Sequence, residues 1–140
     1  MDSKKPFYIT TTLPYVNSAP HLGFATEIVR ADVIARYKDL QGFDVFFNTG
    51  TDEHGQKIFQ AAEKKGILPK QFADDISLHY QAAWGALEIR YDNFIRTTDL
   101  SHEKYVQEFV QKLYDLGEIY KDRYEGLYCV GCEEYKTKSE

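Results

Sequence analysis

The sequence predicts an α/β fold built on an open parallel sheet, and three observations predict it. β-Branched and aromatic runs alternate with stretches of helical periodicity along the first 117 residues. The first such run, the helical stretch after it and the next run make a βαβ unit, whose crossover is almost always right-handed. That next run, Val45-Phe46-Phe47, is continuous rather than alternating, the pattern of a parallel strand covered on both faces.

Each element has its own signal. Phe7-Tyr8-Ile9-Thr10-Thr11-Thr12 reads as a strand that stops before Pro14, and the stretch from Leu13 to Pro20, with two prolines, reads as loop. From Leu22 to Leu40, Ala25, Ile28, Val29, Val33, Tyr37 and Leu40 recur at helical spacing, and Gly42 supplies the stop. Gly55 to Lys65 reads as a second helix ended by Gly66. After Pro69 a third carries Phe72, Ile76, Tyr80, Ala83 and Leu87 on one face, with Tyr80 and Trp84 read as core. Phe94-Ile95-Arg96-Thr97-Thr98 reads as a strand, and His102 to Leu116 as an amphipathic helix through Tyr105, Phe109, Val110 and Leu113, closed by Gly117. From Glu118 the chain turns Tyr- and Gly-rich and carries both cysteines, so residues 1–117 read as one domain and 118–140 as the start of another module.

Composition narrows the function. A chain of 140 residues and 16.3 kDa, 43% hydrophobic and 28% charged, can build a core without disulfides. Its net charge of -5 and pI near 5.4 argue against this segment being a main nucleic-acid grip, which needs clustered Lys and Arg. Lys4 and Lys5 precede nothing like a secretory apolar region, and no run is long enough to span a membrane. With two cysteines and no disulfide framework, the expected setting is the reduced cytoplasm.

In open parallel sheets, ligands bind beyond the carboxyl ends of the strands. Two loops leave those ends here, one running from Leu13 to Phe24 and one from Gly50 to Gly55, and neighbouring strands would place both on one rim. His21 stands just before a helix, where free N–H groups favour an anion, and Gly23 permits close approach. Asp52 adds a carboxylate able to pair with an ammonium. The residues therefore describe a pocket for a phosphorylated nucleotide beside a small cation. Plainer readings compete: His21 as a helix cap, Asp52-Glu53 as a solvated turn, His54 as a partner of local backbone, His79 and His102 as structural. A dinucleotide Gly-x-Gly-x-x-Gly and a Gly-Lys-Ser/Thr phosphate loop are both absent from the sequence. Cys129 and Cys132 have zinc-knuckle spacing and follow a strand-like run, unlike a redox pair opening a helix.

The order TTTLPYVNSAPHLGF, FFNTGTDEHGQKI, YDNFIRTTD and GLYCVGCE resembles the methionyl-tRNA synthetases along nearly the whole chain. HLGF corresponds to the HIGH signature of class I aminoacyl-tRNA synthetases, which nucleotidyltransferases share; LPYVN, TGTDEHG and the CxxCE knuckle point to the methionine enzyme. The resemblance implies the first half of a Rossmann-like nucleotide-binding domain ending in the start of a zinc-knuckle insertion. It implies ATP with Mg2+, methionine and tRNA(Met) as reactants and partners, and Zn2+ in the full-length protein. By position it assigns His21 to the ATP phosphates and to catalysis, Gly23 and Phe24 to the ATP site, and Thr12, Leu13, Tyr15 and Asp52 to methionine. Cys129 and Cys132 become half of a zinc site.

Phe24 departs from the family, whose signature ends in His; a phenyl ring cannot donate to a phosphate. No counterpart of the family's KMSKS loop occurs, so these 140 residues alone are expected not to aminoacylate, and to self-associate through surface that a second half would cover. Two other readings stay open: an HxGH-type nucleotidyltransferase, and a non-catalytic synthetase-like protein that binds an adenylate.

Overall fold

The computed structural model describes residues 4–123, 125–129, 131, 132 and 134–136. Val130 and Glu133 of the knuckle segment lie outside the described residues. The chain falls into two compact units, Met1–His102 and Glu103–Glu140.

In the first unit β1 (Pro6–Thr10), β2 (Asp44–Thr51) and β3 (Asn93–Arg96) pair in parallel, in the order β1-β2-β3. α1 (Leu22–Leu40) joins β1 to β2; α2 (Gln56–Lys65) and α3 (Pro69–Ala86) join β2 to β3. Tyr8 lies opposite Phe46 and Asn48 opposite Asn93. Strand alternation therefore sends Ile9, Val45, Phe47 and Phe94 to one face. There they pack with Ile28 of α1, Ile58 and Ala62 of α2, and Phe72, Ile76, Tyr80 and Trp84 of α3. Tyr80 and Trp84 are core, as expected, at 0% and 2% exposure.

Among the described residues of the first unit, the opposite face is uncovered. Tyr8 and Phe46 stack there at 6.0 Å, 62% and 48% exposed, so the double coverage expected of β2 is not found among the described residues. The buried apolar side chains of α1, α2 and α3 all belong to the cluster on the other side.

α1 also turns differently from its apolar count. Ile28, Ala31, Asp32 and Ala35 face the core, while Val29, Val33, Tyr37 and Leu40 are exposed. The buried row is at i, i+3, i+4 and i+7 and includes a carboxylate, which apolar counting passes over. Asp32 tolerates burial because Arg36 Nε donates to it at 2.6 Å and the Arg90 N–H at 2.9 Å.

The helix stops match their signals: Gly66 is left-handed at φ 67°, Gly42 follows α1 at φ 84°, and Pro69 opens α3. β1 ends two residues earlier than expected, at Thr10, whereas β2 runs on through Gly50 and Thr51, which the sequence placed in the loop. A Cβ on Gly50 would lie 1.8 Å from the Ile95 carbonyl oxygen, so this strand position accepts only glycine while β3 stays paired.

Helix α4 (Leu100–Asp115) buries none of its side chains; Tyr105 and Phe109 of its apolar stripe are 73% and 63% exposed. In the second unit β4 (Leu127–Cys129) and β5 (Glu134–Lys136) form an antiparallel pair with Tyr128 opposite Tyr135. Among the described residues no helix is long and apolar enough to cross a membrane.

Two glycines should separate in a urea titration. Gly50→Ala is expected to lose more than about 3 kcal/mol, through the clash with β3. Gly85→Ala, on α3 with nothing within 4 Å of its Cβ, should gain about 0.5–1 kcal/mol of helix stability. A Gly50→Ala chain as stable as the parent would refute the close β2–β3 approach.

Candidate functional site

The two rim loops meet, as their strand order requires. Tyr15 bridges Asp52 in parallel beyond the named strands: the Asp52 N–H donates to the Pro14 carbonyl at 2.9 Å, and the Val16 N–H to the Asp52 carbonyl at 3.0 Å. Val16, fully buried, anchors the returning loop. Tyr15 and Asp52 are thereby set side by side, with Leu13 just ahead of Pro14. The tyrosine lies across the second loop: a Cβ on Gly55 would fall 1.9 Å from Tyr15 Oη, and Gly55 has φ 131°. Any side chain at Gly55 would dislodge Tyr15.

Thr12 is held by a residue the sequence reading missed. Its N–H donates to Glu27 Oε1 at 2.8 Å and its Oγ1 to Glu27 Oε2 at 2.5 Å. Both oxygens of a carboxylate on α1 thus secure the exit from β1.

His21 takes the plainer of the two roles considered for it, the helix cap. It is the N-cap of α1, with extended backbone, and its Nδ1 accepts the Gly23 N–H at 3.1 Å. An accepting Nδ1 carries no proton, so the neutral ring bears its proton on Nε2, across the ring from the cap. The cap therefore presents an N–H donor at the start of a helix, where anions bind. A Cβ on Gly23 would come within 2.9 Å of His21 Cε1, so this glycine makes room first for the imidazole.

Phe24 stacks obliquely on His21, with centroids 4.4 Å apart and planes at 34°, and meets Tyr80 edge-on at 5.9 Å. It is half-buried and packs on the core. Beneath it, Tyr80 Oη and Trp84 Nε1 are buried with no hydrogen-bond partner among the described residues, and burial pushes the Tyr80 phenol up. Thr12, Phe24, Glu27 and Trp84 line a crevice here that is too small to hold a water molecule. A larger hollow of about 250 Å³, between Lys4, Arg36, Asp39, Arg90 and Asp92, lies by the amino ends of β1 and β2 and has mixed charge.

Glu53 is not the solvated turn residue that its neighbourhood in sequence allows. It is 4% exposed. Arg96 donates to both its oxygens, Nε at 2.7 Å and Nη2 at 2.8 Å; Thr51 Oγ1 donates at 2.6 Å and Thr98 Oγ1 at 2.5 Å. Arg96 Nη2 also reaches Asp74 of α3 at 2.5 Å. Burial alone would raise the Glu53 carboxyl, but Arg96 and the two hydroxyls outweigh it and hold it below the usual carboxylate range. Asp74 is lowered too: burial alone would raise it, but Lys70 and Arg96 together outweigh it. Hydrogen bonding to Glu53 foremost pushes the Arg96 guanidinium up. A signal for this pair was available: alternation from Phe94 puts Arg96 on the core face, and a buried arginine demands a carboxylate.

The knuckle residues belong to the second unit. Cys129 ends β4, and the Cys132 N–H donates to its Sγ at 3.3 Å, the turn in which a thiolate would be stabilised. The hydrogen bond from the Cys132 thiol draws the Cys129 thiol down. The two are thiols, not a disulfide, and among the described residues they gather no third His, Cys, Asp or Glu that would complete a metal cluster.

The Glu53 pair makes a prediction about acid. Its folded pKa lies below the unfolded value of about 4.3, so its stabilisation is complete above that value and is lost as pH falls through the folded one. Glu53→Gln should cost about 3 kcal/mol at neutral pH. Between about pH 5 and pH 3 its urea midpoint should then fall less steeply than that of the parent. Parallel curves would remove Glu53 as the acid-sensitive group.

Comparison with known proteins places this geometry. Residues 7–140 match the family model of "tRNA synthetases class I (M)". The chain is 52% identical over 134 residues to the methionine–tRNA ligase of Thermotoga maritima, covering 96% of this chain and 21% of that protein. It is 53% identical over 137 residues to that of Clostridium perfringens, covering 98% and 21%. The chain thus spans about a fifth of the length of these curated relatives. Among solved structures, Mycobacterium tuberculosis methionyl-tRNA synthetase in complex with methionyl-adenylate superposes with TM-score 0.91 at 44% identity, over 97% of this chain and 27% of that one. A leucyl enzyme, the Agrobacterium radiobacter K84 agnB2 LeuRS in a ternary complex, matches with TM-score 0.80 at 26% identity, over 86% and 16%. With the family model matched over residues 7–140, and with relatives and a solved structure alike over nearly its whole length, this chain belongs to the class I tRNA synthetases of the methionine type.

Proposed function

We propose that the chain is the nucleotide-binding part of a methionine–tRNA ligase. Such an enzyme joins methionine to ATP as methionyl-adenylate and passes the methionyl group to the 3'-terminal adenosine of tRNA(Met). The observation that carries this reading is the rung between Tyr15 and Asp52, which puts an anionic side chain on the same rim as the His21 cap. Residues 1–117 would form the amino-terminal half of the catalytic domain and 118–140 the start of an inserted knuckle.

In the first step a methionine carboxylate oxygen attacks the α-phosphorus of ATP, a C–O–P linkage forms, the α–β anhydride bond breaks, and pyrophosphate leaves. The protein's part is positioning and charge stabilisation. Asp52, with the backbone of Leu13, holds the ammonium; Thr12 and Tyr15 line the side-chain pocket. His21 donates through Nε2 to the phosphates as negative charge gathers on them. Gly23 and Phe24 border the adenine, and the Phe24 ring keeps the His21 imidazole in place, which a histidine at that position would supplement with a second donor. Mg2+ would arrive on the ATP phosphates and neutralise charge there. Cys129 and Cys132 would supply two sulfurs to a structural Zn2+, with the other ligands outside the described residues. The thiol state of both cysteines suits a cytoplasmic setting. The open Tyr8–Phe46 face favours self-association at high concentration.

Calorimetric titration with a non-hydrolysable methionyl-adenylate mimic tests the site. Saturable binding that prefers the methionyl over the isoleucyl compound is expected. Asp52→Ala should weaken it roughly ten- to hundredfold, the worth of a charge-assisted hydrogen bond. His21→Asn keeps an acceptor for the Gly23 N–H but loses the outer donor, so affinity should fall while the melting temperature holds. Equal affinity for both mimics, indifferent to Asp52→Ala, would overturn the reading.

A further inference from the structure

Thr97, the residue that follows β3, is bonded to each of the four residues at which β2 ends and the rim turns. Its N–H donates to the Thr51 carbonyl at 3.2 Å. Its Oγ1 accepts the Glu53 N–H at 2.8 Å and donates toward Asp52 Oδ1 at 3.5 Å. Its carbonyl oxygen meets His54 Nε2 at 3.1 Å. One residue just past the neighbouring strand thus grips Thr51, Asp52, Glu53 and His54 in turn.

The hydroxyl is the part with chemical consequence. It has one proton, and with the Glu53 N–H bound to a lone pair, that proton remains for Asp52 Oδ1. At 3.5 Å the contact is long, so its effect is directional more than energetic. It engages one carboxylate oxygen and leaves Oδ2 to a ligand cation. The anchor behind it does not shift, because Glu53 is locked by Arg96, Thr51 and Thr98.

We propose that Thr97 is a positioning residue that holds the Asp52 carboxylate in the rotamer that receives a primary ammonium. It thereby sets the site's preference for an α-amino ligand over its des-amino counterpart. The ligand class rests on the function proposed above; the holding of Asp52 does not.

Two readouts test it, both on the 140-residue chain. The first is the three-bond couplings that report the Asp52 χ1 angle, with no ligand present. A single rotamer is expected in the parent and in Thr97→Ser, and averaged couplings in Thr97→Val, with Thr97→Ala used if the valine variant does not fold. The second is affinity for the methionyl-adenylate mimic and for the same compound with hydrogen in place of the ammonium. Loss of the hydroxyl should cut the preference for the amino compound about threefold or more, with the des-amino affinity unchanged within about twofold and serine restoring the parent value. Unaltered Asp52 couplings in Thr97→Val, or an equal loss for both ligands, would overturn the proposal. If the parent binds neither compound, the proposed function falls, and the coupling measurement still decides whether Thr97 holds Asp52.

Discussion

A carboxylate sealed from water at the end of a strand is a costly thing to fold around, and the first unit is arranged so that Glu53 is never alone. Arg96 meets it with two parallel hydrogen bonds from the adjacent strand, and hydroxyls of Thr51 and Thr98 supply two more. Because the partners come from β2 and from the end of β3, the charge can be satisfied only when those strands are in register. Asp74 brings α3 into the same cluster. The position of Asp52 follows, since its neighbour in the chain cannot move. A hydrophobic pair would hold the strands together as well, but it would not dictate which residue stands opposite which.

Much of the site was legible because it is written in local signals. His21 ahead of an apolar helix, the prolines of the first loop and Gly55 after Asp52 all declare backbone geometry. Strand order then brings the two loops together. The β2 boundary was misplaced because Gly50 and Thr51 look like turn residues; the close passage of Ile95 that requires a glycine there is a property of two strands, not one. The face of α1 was misjudged for a related reason. Val29, Val33, Tyr37 and Leu40 form a clear stripe, yet small Ala31 and Ala35 let the helix approach the sheet, and buried Asp32 is acceptable only through Arg36 and the distant Arg90 backbone. Glu27 and Thr97 escaped notice because their partners lie across the fold, Thr12 on the preceding strand exit and the rim residues of β2.

The rim is stiff where a reactant's charge would be read and open where its bulk would go. Asp52 is tied on both sides through its own backbone, Thr12 is clasped by α1, and Tyr15 fits over a residue with no side chain. The space beside them is shallow, and among the described residues of the first unit the second face of the sheet is bare. The likeness to a methionyl-tRNA synthetase holding methionyl-adenylate extends over nearly this whole chain but about a quarter of that one. Among the described residues, the polar groups of the rim are thus held by backbone and strand contacts of the first unit.

The contact between His21 and Gly23 has a consequence for how such a chain can change over generations. A side chain at position 23 is excluded by the imidazole that caps the helix, not by the path of the backbone. The two positions are thus inherited as one unit. While His21 keeps its ring against the helix start, every replacement of Gly23 is penalised. A lineage that lost His21 would at once be released at position 23, and a side chain fixed there would then bar the histidine's return. The passage between the two states is easy to leave and hard to re-enter, a ratchet made from one missing methyl group.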